Sequence, residues 1–286
     1  MNTPSIRDAI LRIRELPTLP SVLSKILATA ADPDASAIDL GQHIQADQSL
    51  SATLLKLVNS AYYGFYRQIK TITQAIVVLG FVEVRNLTLT ATAFRTLGKS
   101  GSNYDRLQLW RHSLGAAMAA DRIVKELRLD AEGCFEAALL HDIGKVVLDL
   151  LYPDRFCEAA RRANDEQRYI ADVEREMFNI DHAEAGSLLG EHWNLPPAVV
   201  DAIRFHHAPE KAAIDSQLAQ VAALANYITY PADLGELSNG LTPAYPVYSG
   251  TRLNLSEARC AEMAEKLREN REHIDNFLGG LQGKRK

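Results

Sequence analysis

The sequence predicts an all-α fold in which many helices pack as a multi-helix bundle. Apolar residues recur at intervals of three and four in nearly every patterned segment, as they do from Leu50 to Val58. Residues that cap helices precede these segments, and glycine or proline follows most of them. Valine, threonine and isoleucine between residues 76 and 94 could also form strands, but their spacing and the glycines that end them favour helices.

Six helices are predicted in the first hundred residues, and most begin at a recognisable cap. Pro17 and Pro20 separate the first helix from the second. A capping box of Thr71 and Gln74 begins the fifth. The six predicted segments are Ile6 to Leu16, a helix capped by Ser21, a helix opened by Ser36, Leu50 to Val58 opened by Asp47, Ala75 to Leu79 ended by Gly80, and Phe81 to Leu97 ended by Gly98.

A second series of helices is predicted beyond Lys99 to Asn103, a short stretch that joins two helical halves. The predicted helices there are Tyr104 to Leu127, one centred on His141, one started by Pro153, one from Asp181 to Trp193, Ala198 to Phe205 behind Pro196, one opened by Asp215 or Ser216 and running to Tyr230, and Ser256 to Leu278 stopped by Gly279-Gly280. Pro231 to Leu253 is predicted to be a long loop. We therefore divide the chain into residues 1–100, 101–230 and 231–286.

The composition is that of a globular protein and argues against some classes of partner. The 286 residues are 47% hydrophobic with a net charge of −5, which argues against nucleic acid as the main partner. No apolar run reaches the roughly 18 residues of a membrane span, and the polar start is unlike a signal peptide. Cys134, Cys157 and Cys260 are odd in number and far apart. We therefore expect reduced thiols, a cytoplasmic location and no membrane association.

One apolar segment, Glu136 to Leu148, carries polar residues where a core helix would be apolar. His141 and Lys145 are four residues apart and share a helix face, and Asp142 lies beside that face. Burying an imidazole and a carboxylate together is costly unless each has a partner. A hydrogen-bonded core pair would satisfy both groups, and so would a divalent cation.

Five of the eight histidines fall on four predicted helical segments. Each one alone would be an ordinary buried or solvated histidine. Several helix-borne histidines with an aspartate are typical of a metal site inside a helical bundle. Imidazole suits iron, zinc, manganese or nickel, so we expect one or two divalent ions of this kind. The residues are His112, His141, His182, His206 and His207, with Asp142 as the aspartate.

The order of these residues resembles that of the HD phosphohydrolase superfamily, and the first half of the chain resembles its HDOD family. The superfamily phrase runs from His141 to Lys145. The HDOD-like phrases are Leu16 to Pro20, Leu57 to Ala61 and Ile72 to Gly80, and the likeness extends from about residue 13 to 230. This resemblance implies an all-α HD-superfamily bundle with an N-terminal, HDOD-specific helical half. It also implies a signalling or regulatory role exerted through a protein partner.

The resemblance further implies two metal positions that share Asp142. The first metal position would use His112, His141, Asp142 and a late aspartate, whose place is taken here by Asn226. The second metal position would use Asp142, His182, His206 and His207. An amide oxygen binds a hard cation more weakly than a carboxylate, so we expect the first metal position to be weakened. The Gly-Tyr-Pro phrase of the related HD-GYP branch is absent after His207, which disfavours cyclic di-GMP hydrolysis.

Two functions remain open from the sequence. The chain could be a regulatory module with a metal-capable, degenerate site, which the asparagine and the HDOD-like first half favour. The alternative is a metal-dependent phosphohydrolase acting on a nucleotide or another phosphoester. In that enzyme Asp142 would bridge the ions or orient water, and Lys145 would pair with the phosphate.

Other notable residues are assigned ordinary roles. Trp110 and Trp193 are expected in the core, and Glu174 and Glu176 are assigned to exposed helix surface. The remaining histidines, on charged faces, are expected to be solvated. The aromatic group Tyr62, Tyr63, Phe65 and Tyr66 is expected to pack between the two halves rather than to bind a partner.

Overall fold

The structure is a computed structural model that describes residues 24–26, 36–59, 63–97, 102–236 and 240–282. Within these ranges the fold is all-α, as predicted, and Tyr169 and Gly240 form one isolated antiparallel bridge. A short 3-10 helix spans Pro209–Lys211. The α-helices, numbered along the described parts of the chain, are α1 Ala37–Gln45, α2 Gln48–Val58, α3 Ile72–Leu79, α4 Phe81–Leu97, α5 Arg106–Leu127, α6 Cys134–Leu140, α7 Ile143–Leu151, α8 Pro153–Asp165, α9 Ile170–Phe178, α10 His182–His192, α11 Pro197–Phe205, α12 Ser216–Thr229, α13 Val247–Arg252, α14 Glu257–Arg268 and α15 Arg271–Gln282.

Predicted caps begin the described helices of the first hundred residues. The Asp47 carboxylate accepts from the backbone N–H of Leu50 at 2.9 Å at the start of α2. At the start of α3 the Thr71 hydroxyl accepts from the backbone N–H of Gln74 at 3.1 Å. The Gln74 side chain accepts from Lys70 at 2.9 Å, so the predicted capping box forms one residue out of register.

The single helix predicted around His141 is two helices, α6 and α7. The imidazole Nδ1–H of His141 donates to the carbonyl of Ala138 at 2.7 Å. In a continuous helix that carbonyl would accept from the backbone N–H of Asp142. Asp142 instead lies at φ −98° and ψ 10°, and α7 begins at the next residue. The His-Asp pair therefore lies at a helix junction.

The final helix is likewise divided, into α14 and α15. The Asn270 side-chain amide donates to the carbonyl of Lys266 at 2.9 Å. In a continuous helix that carbonyl would accept from the backbone N–H of Asn270. The Asn270 backbone N–H turns to the carbonyl of Leu267, also at 2.9 Å. A single asparagine thus ends α14.

Several other predicted boundaries differ from the structure. Gly279-Gly280 lies inside α15 instead of ending it, and a Cβ on Gly280 would lie only 3.3 Å from Leu57. The predicted loop ends in a helix, α13, and α9 was not predicted. The helix predicted from Ile6 to Leu16 and most of the one capped by Ser21 lie outside the described residues.

The described residues form two compact units. The first, called the N-terminal unit, contains the described residues between 24 and 97 together with 272–282. Its helices α1 to α4 and α15 surround an apolar core that includes Leu40, Ile44, Leu54 and Ile72, and Phe277 packs against it. The second, called the histidine unit, comprises the described residues from 102 to 271.

In the histidine unit, α5 packs against α6 and α12, while α7 packs against α10 and α10 against α11. The α7–α10 contact is unusually close. A Cβ added to Gly144 would overlap the carbonyl of His182 and lie 2.5 Å from the backbone nitrogen of Gly186. Only a glycine fits there, and the contact brings Asp142 beside His182. None of the helices in the described ranges combines the length and apolar character that a membrane crossing requires.

Candidate metal centre

Four segments of the histidine unit bring the predicted site residues together. His112 lies in the middle of α5, and His141-Asp142 forms the α6–α7 junction. His182 is the first residue of α10, and His206-His207 follows the last residue of α11. The potential histidine and aspartate ligand atoms of each predicted position lie within 4.8 Å of one another.

The Asp142 carboxylate divides the histidines into two groups. Its Oδ2 lies 3.5 Å from the Nε2 of His112 and 3.4 Å from that of His141, in the first metal position. Its Oδ1 lies 3.1 Å from the Nε2 of His182 and 3.6 Å from that of His206, in the second. Zinc–nitrogen bonds are about 2.0–2.1 Å long, so two ligands on one ion lie about 3 Å apart. The observed spacings match that requirement.

Two of the imidazoles are oriented by the backbone that ends their own helices. The Nδ1–H of His206 donates to the carbonyl of Ile203 at 2.7 Å, as that of His141 does to Ala138. Donation from Nδ1 leaves Nε2 as the acceptor nitrogen. Each ring therefore presents a lone pair to the carboxylate of Asp142.

The other two imidazoles that face Asp142 are held by side chains. His112 Nδ1 lies 3.0 Å from the Thr229 hydroxyl, which donates its own proton to the carbonyl of Asn226. His182 Nδ1 lies 2.6 Å from a carboxylate oxygen of Glu174. Such outer partners fix the tautomer and orientation of metal-binding histidines.

Several nitrogen and oxygen atoms with free lone pairs are placed here as ligands of a cation would be. The Nε2 atoms of His182 and His207 face each other at 2.9 Å, and those of His112 and His141 at 3.1 Å. Two acceptors at such distances need a cation or a shared proton between them. The His206 Nε2 and Asn226 Oδ1 atoms are buried without a hydrogen-bond partner. This donor set can hold a divalent cation.

The imidazoles of His112 and His206 are strongly biased toward the neutral form. Burial, reinforced by the neighbouring His141, lowers the pKa of His112 to about 4. Burial and the same neighbour lower the pKa of His206 to about 3. Neutral imidazole is the form that binds metal ions, so both rings are ready as ligands at pH 7.

His182 and Asp142 instead favour their charged forms. Burial favours the neutral ring of His182, but Glu174 and Asp142 outweigh it and raise the pKa to about 10. Burial likewise disfavours the charged carboxylate of Asp142, yet His141 and Lys145 hold its pKa well below the usual range. An ion that binds His182 must therefore displace a proton from its ring.

Lys145 forms ion pairs with two carboxylates. Its ammonium donates to Asp142 Oδ2 and to Glu236 Oε2, both at 2.7 Å, and all three side chains are buried. The other oxygen of Glu236 accepts from the hydroxyl of Tyr104. Burial opposes the charge on Lys145, but Asp142 and Glu236 raise its pKa above the ordinary value.

A cavity of about 360 Å³ opens beside the second metal position. His207 is exposed there, whereas His112, His141 and Asp142 of the first metal position are buried. Asn226 and Lys145 reach the cavity wall, and Arg175 lines it as well. Only the second metal position, within the described residues, presents an exposed ligand to this cavity.

Three residues of the site were missed by the sequence analysis or assigned elsewhere. Glu174 was assigned to exposed helix surface, which is wrong, because it is fully buried and binds His182. A signal was available, since Glu174 lies four residues from both Ile170 and Phe178 on the buried side of α9. Glu236 lies in a loop and Thr229 at a helix end, where periodicity gives no signal.

Comparison with known proteins identifies a family that the chain matches. The HDOD domain model matches residues 16–209, more than half of the chain. A crystal structure of an HDOD domain protein of unknown function from Geobacter sulfurreducens is 25% identical, with a TM-score of 0.82 and 96% of each chain covered. An uncharacterised protein of Treponema pallidum is 32% identical over 207 residues, which are 70% of this chain and 40% of that protein.

A partial likeness to a ribonuclease covers about a third of the chain. A ribonuclease Y of Thermus thermophilus is 34% identical over 102 residues, which are 36% of this chain and 13% of the ribonuclease. The chain thus spans less than half the length of either curated relative.

Proposed function

The chain belongs to the HDOD domain family, and from that premise we propose that it is a signal-transduction module that acts through a protein partner. In this proposal the histidine cluster is a degenerate HD site that binds a divalent ion for structural or regulatory purposes. The observation that carries the proposal is Asn226, which stands where the superfamily pattern has an aspartate and whose Oδ1 is buried without a hydrogen-bond partner. A two-ion hydrolytic centre loses a charged ligand there.

The N-terminal unit also supports a regulatory role. It contributes none of the residues of the histidine cluster, all of which lie in the histidine unit. A plain phosphohydrolase would not require it, whereas a module that presents surfaces to a partner would.

The residues that would hold an ion are those of the second metal position, with Asp142 Oδ1 as the acidic ligand. A bound divalent ion supplies Lewis acidity and lowers the pKa of a water ligand from about 15.7 to about 7. Glu174 would keep the His182 ring in the orientation that directs Nε2 inward. Arg175, at the cavity wall, is engaged by Asp181 at 2.6 Å and by Asp172 at 2.8 Å.

Phosphoester hydrolysis is the second candidate function. One observation favours it, namely that the second metal position is complete and reaches the 360 Å³ cavity. The partial likeness to ribonuclease Y is consistent with a phosphodiester substrate. For this chemistry a neutral amide would have to serve in place of a carboxylate at residue 226.

Metal analysis combined with hydrolysis assays separates the two functions. We expect purified protein to bind Mn²⁺ and to turn over neither nucleotides nor bis-(p-nitrophenyl) phosphate faster than the His206→Ala variant does. Two bound ions together with turnover that disappears in His141→Ala would establish the hydrolase instead.

Hydrogen exchange tests the regulatory part of the proposal. Ion binding should slow backbone exchange not only around the cluster but also in residues 36–97, which contain no ligand. Unchanged exchange rates in residues 36–97 on Mn²⁺ addition would contradict signalling through the N-terminal unit.

A further inference from the structure

The first metal position already contains a positive charge supplied by the chain. We propose that the ammonium of Lys145, held in place by Glu236, occupies the role of a second cation, so that the centre binds a single divalent ion at the second metal position. The inference rests on the ion-binding part of the proposed function and adds the number of ions and the residue that sets it.

The Lys145 ammonium and an ion in the first metal position would compete for one oxygen of Asp142. Asp142 Oδ2 is the carboxylate oxygen that faces His112 and His141, at 3.5 Å and 3.4 Å from their Nε2 atoms. The same oxygen accepts from the Lys145 ammonium at 2.7 Å. An ion bound between the two histidines would need that oxygen, so the ion and the ammonium would compete for it and repel each other.

Moving Lys145 out of this position is energetically costly. Its ammonium is buried and is also bonded to Glu236 at 2.7 Å, and Glu236 in turn accepts from Tyr104. Withdrawing the lysine would break this buried ion pair, which is strongly unfavourable. Glu236 is therefore a positioning residue for Lys145.

The charges around the first metal position also suit an ammonium better than a second divalent ion. A second divalent ion would need one more carboxylate in the first metal position, and residue 226 is asparagine. A monovalent ammonium needs less negative charge than a divalent ion, so the asparagine suits it. The Nε2 atoms of His112 and His141 lie 3.1 Å apart, close enough to share one proton without any ion.

Opposite effects of two substitutions test this assignment. Lys145→Met removes the competing cation and should tighten Mn²⁺ binding at the second metal position by about tenfold or more, since like charges a few ångströms apart repel strongly. Glu236→Gln removes a nearby anion and should weaken Mn²⁺ binding by a similar factor. A merely structural role for the pair would weaken binding in both variants.

The number of Mn²⁺ ions bound per chain tests the proposal directly. Wild-type protein should bind one Mn²⁺ per chain in calorimetric titration, and the double variant Lys145→Met/Asn226→Asp should bind two. Matched controls are Lys125→Met, whose exposed lysine pairs with Asp121 at 2.6 Å, and Glu166→Gln, whose exposed carboxylate pairs with Arg162. Both controls should keep the wild-type affinity and stoichiometry.

The possible outcomes are distinguishable. Two ions in the wild type, or a single ion in a folded double variant, would overturn the role assigned to Lys145 while leaving ion binding intact. Weaker binding in Lys145→Met would overturn it as well. Absence of Mn²⁺ binding by the wild type would instead remove the ion-binding part of the proposed function, and this inference with it. Because Glu236→Gln is isosteric, its affinity can be measured even where the methionine variants fail to fold, and an Mn²⁺ affinity equal to or higher than that of the wild type would overturn the proposal.

Discussion

The two metal positions share the carboxylate of Asp142 but differ in their surroundings. The first has buried histidines, a lysine bonded to the Asp142 oxygen that faces them, and an asparagine, Asn226, as its fourth predicted member. The second keeps all four of its expected ligands and exposes His207 to a cavity. A complete count of histidines therefore does not reveal how many ions a site binds.

The outer partners of the histidines differ in the same way. Thr229, behind His112, is a neutral hydroxyl, whereas Glu174, behind His182, is a buried carboxylate. A carboxylate partner raises the basicity of a ligating imidazole and so strengthens its bond to a metal ion. Charge near the second metal position thus favours an ion, and charge near the first is already balanced within the chain.

The largest effect is expected from Asp142→Ala, which breaks both positions at once. The variant should lose Mn²⁺ binding and about 3–5 kcal/mol of unfolding free energy, because Lys145 and the buried histidines lose their common anion. Urea unfolding measures the loss. Asp165→Ala, which removes an exposed aspartate paired with Arg161, is the control and should change stability little. An unaltered melting temperature in Asp142→Ala would contradict burial of the site.

The ion-free protein should show a pH dependence in which the buried neutral histidines of both positions and the charged His182 act in opposite directions. His112, with a folded pKa of about 4, is neutral in the fold but gains a proton on unfolding below about pH 6.5, so stability falls as the pH drops. His182, with a folded pKa of about 10, is charged in the fold and loses a proton on unfolding above about pH 6.5, so stability falls as the pH rises.

Each limb of that profile should be on the order of 3 kcal/mol, with the maximum near neutral pH. Urea unfolding in EDTA from pH 4 to 10 measures it. Replacing the exposed His192 by Gln should leave the profile unchanged. A flat profile would mean that the two imidazoles do not differ in charge.

Ligand substitutions compare the two positions directly. His206→Ala should weaken Mn²⁺ binding about a hundredfold or more, since it removes a ligand of the second metal position. His112→Ala should weaken it less than tenfold, because the first metal position is not expected to bind the ion. Isothermal titration calorimetry gives both affinities, and equal losses would erase the distinction.

The smallest effects are expected from the outer partners. Glu174→Gln should weaken Mn²⁺ binding by about 10- to 100-fold, whereas Thr229→Val, behind the first metal position, should leave it nearly unchanged. The neighbouring Glu176→Gln, an exposed glutamate in the same helix, controls for the loss of one negative charge. A Glu174→Gln variant with wild-type affinity would show that this carboxylate does not support His182 as a ligand.

Much of the fold and the convergence of the histidines followed from the sequence. Caps such as Asp47 and Asp181 mark helix starts through local hydrogen bonds that involve only a few neighbouring residues. The histidines and Asp142 are polar residues in otherwise apolar segments, so their burial and mutual proximity could be inferred from residue type and order. Their binding of an ion remains a prediction.

The missed features depend on contacts that are distant in the chain or on competition for one carbonyl. Glu236 meets Lys145 across 91 residues, and no local pattern predicts such a pair. The breaks at His141 and Asn270 occur because a side chain takes a helix carbonyl. Glu174 was misassigned because its charged neighbours Arg175 and Glu176 resemble an exposed face, although its spacing from Ile170 and Phe178 marks the buried one.

The glycine contact between α7 and α10 has a consequence for how such a protein can change over evolutionary time. It joins the two helices by backbone against backbone, so their crossing does not depend on which ligands surround Asp142. Side chains around Asp142 could therefore be replaced one at a time without changing how the two helices cross. A side chain at position 144, by contrast, would force the two backbones apart.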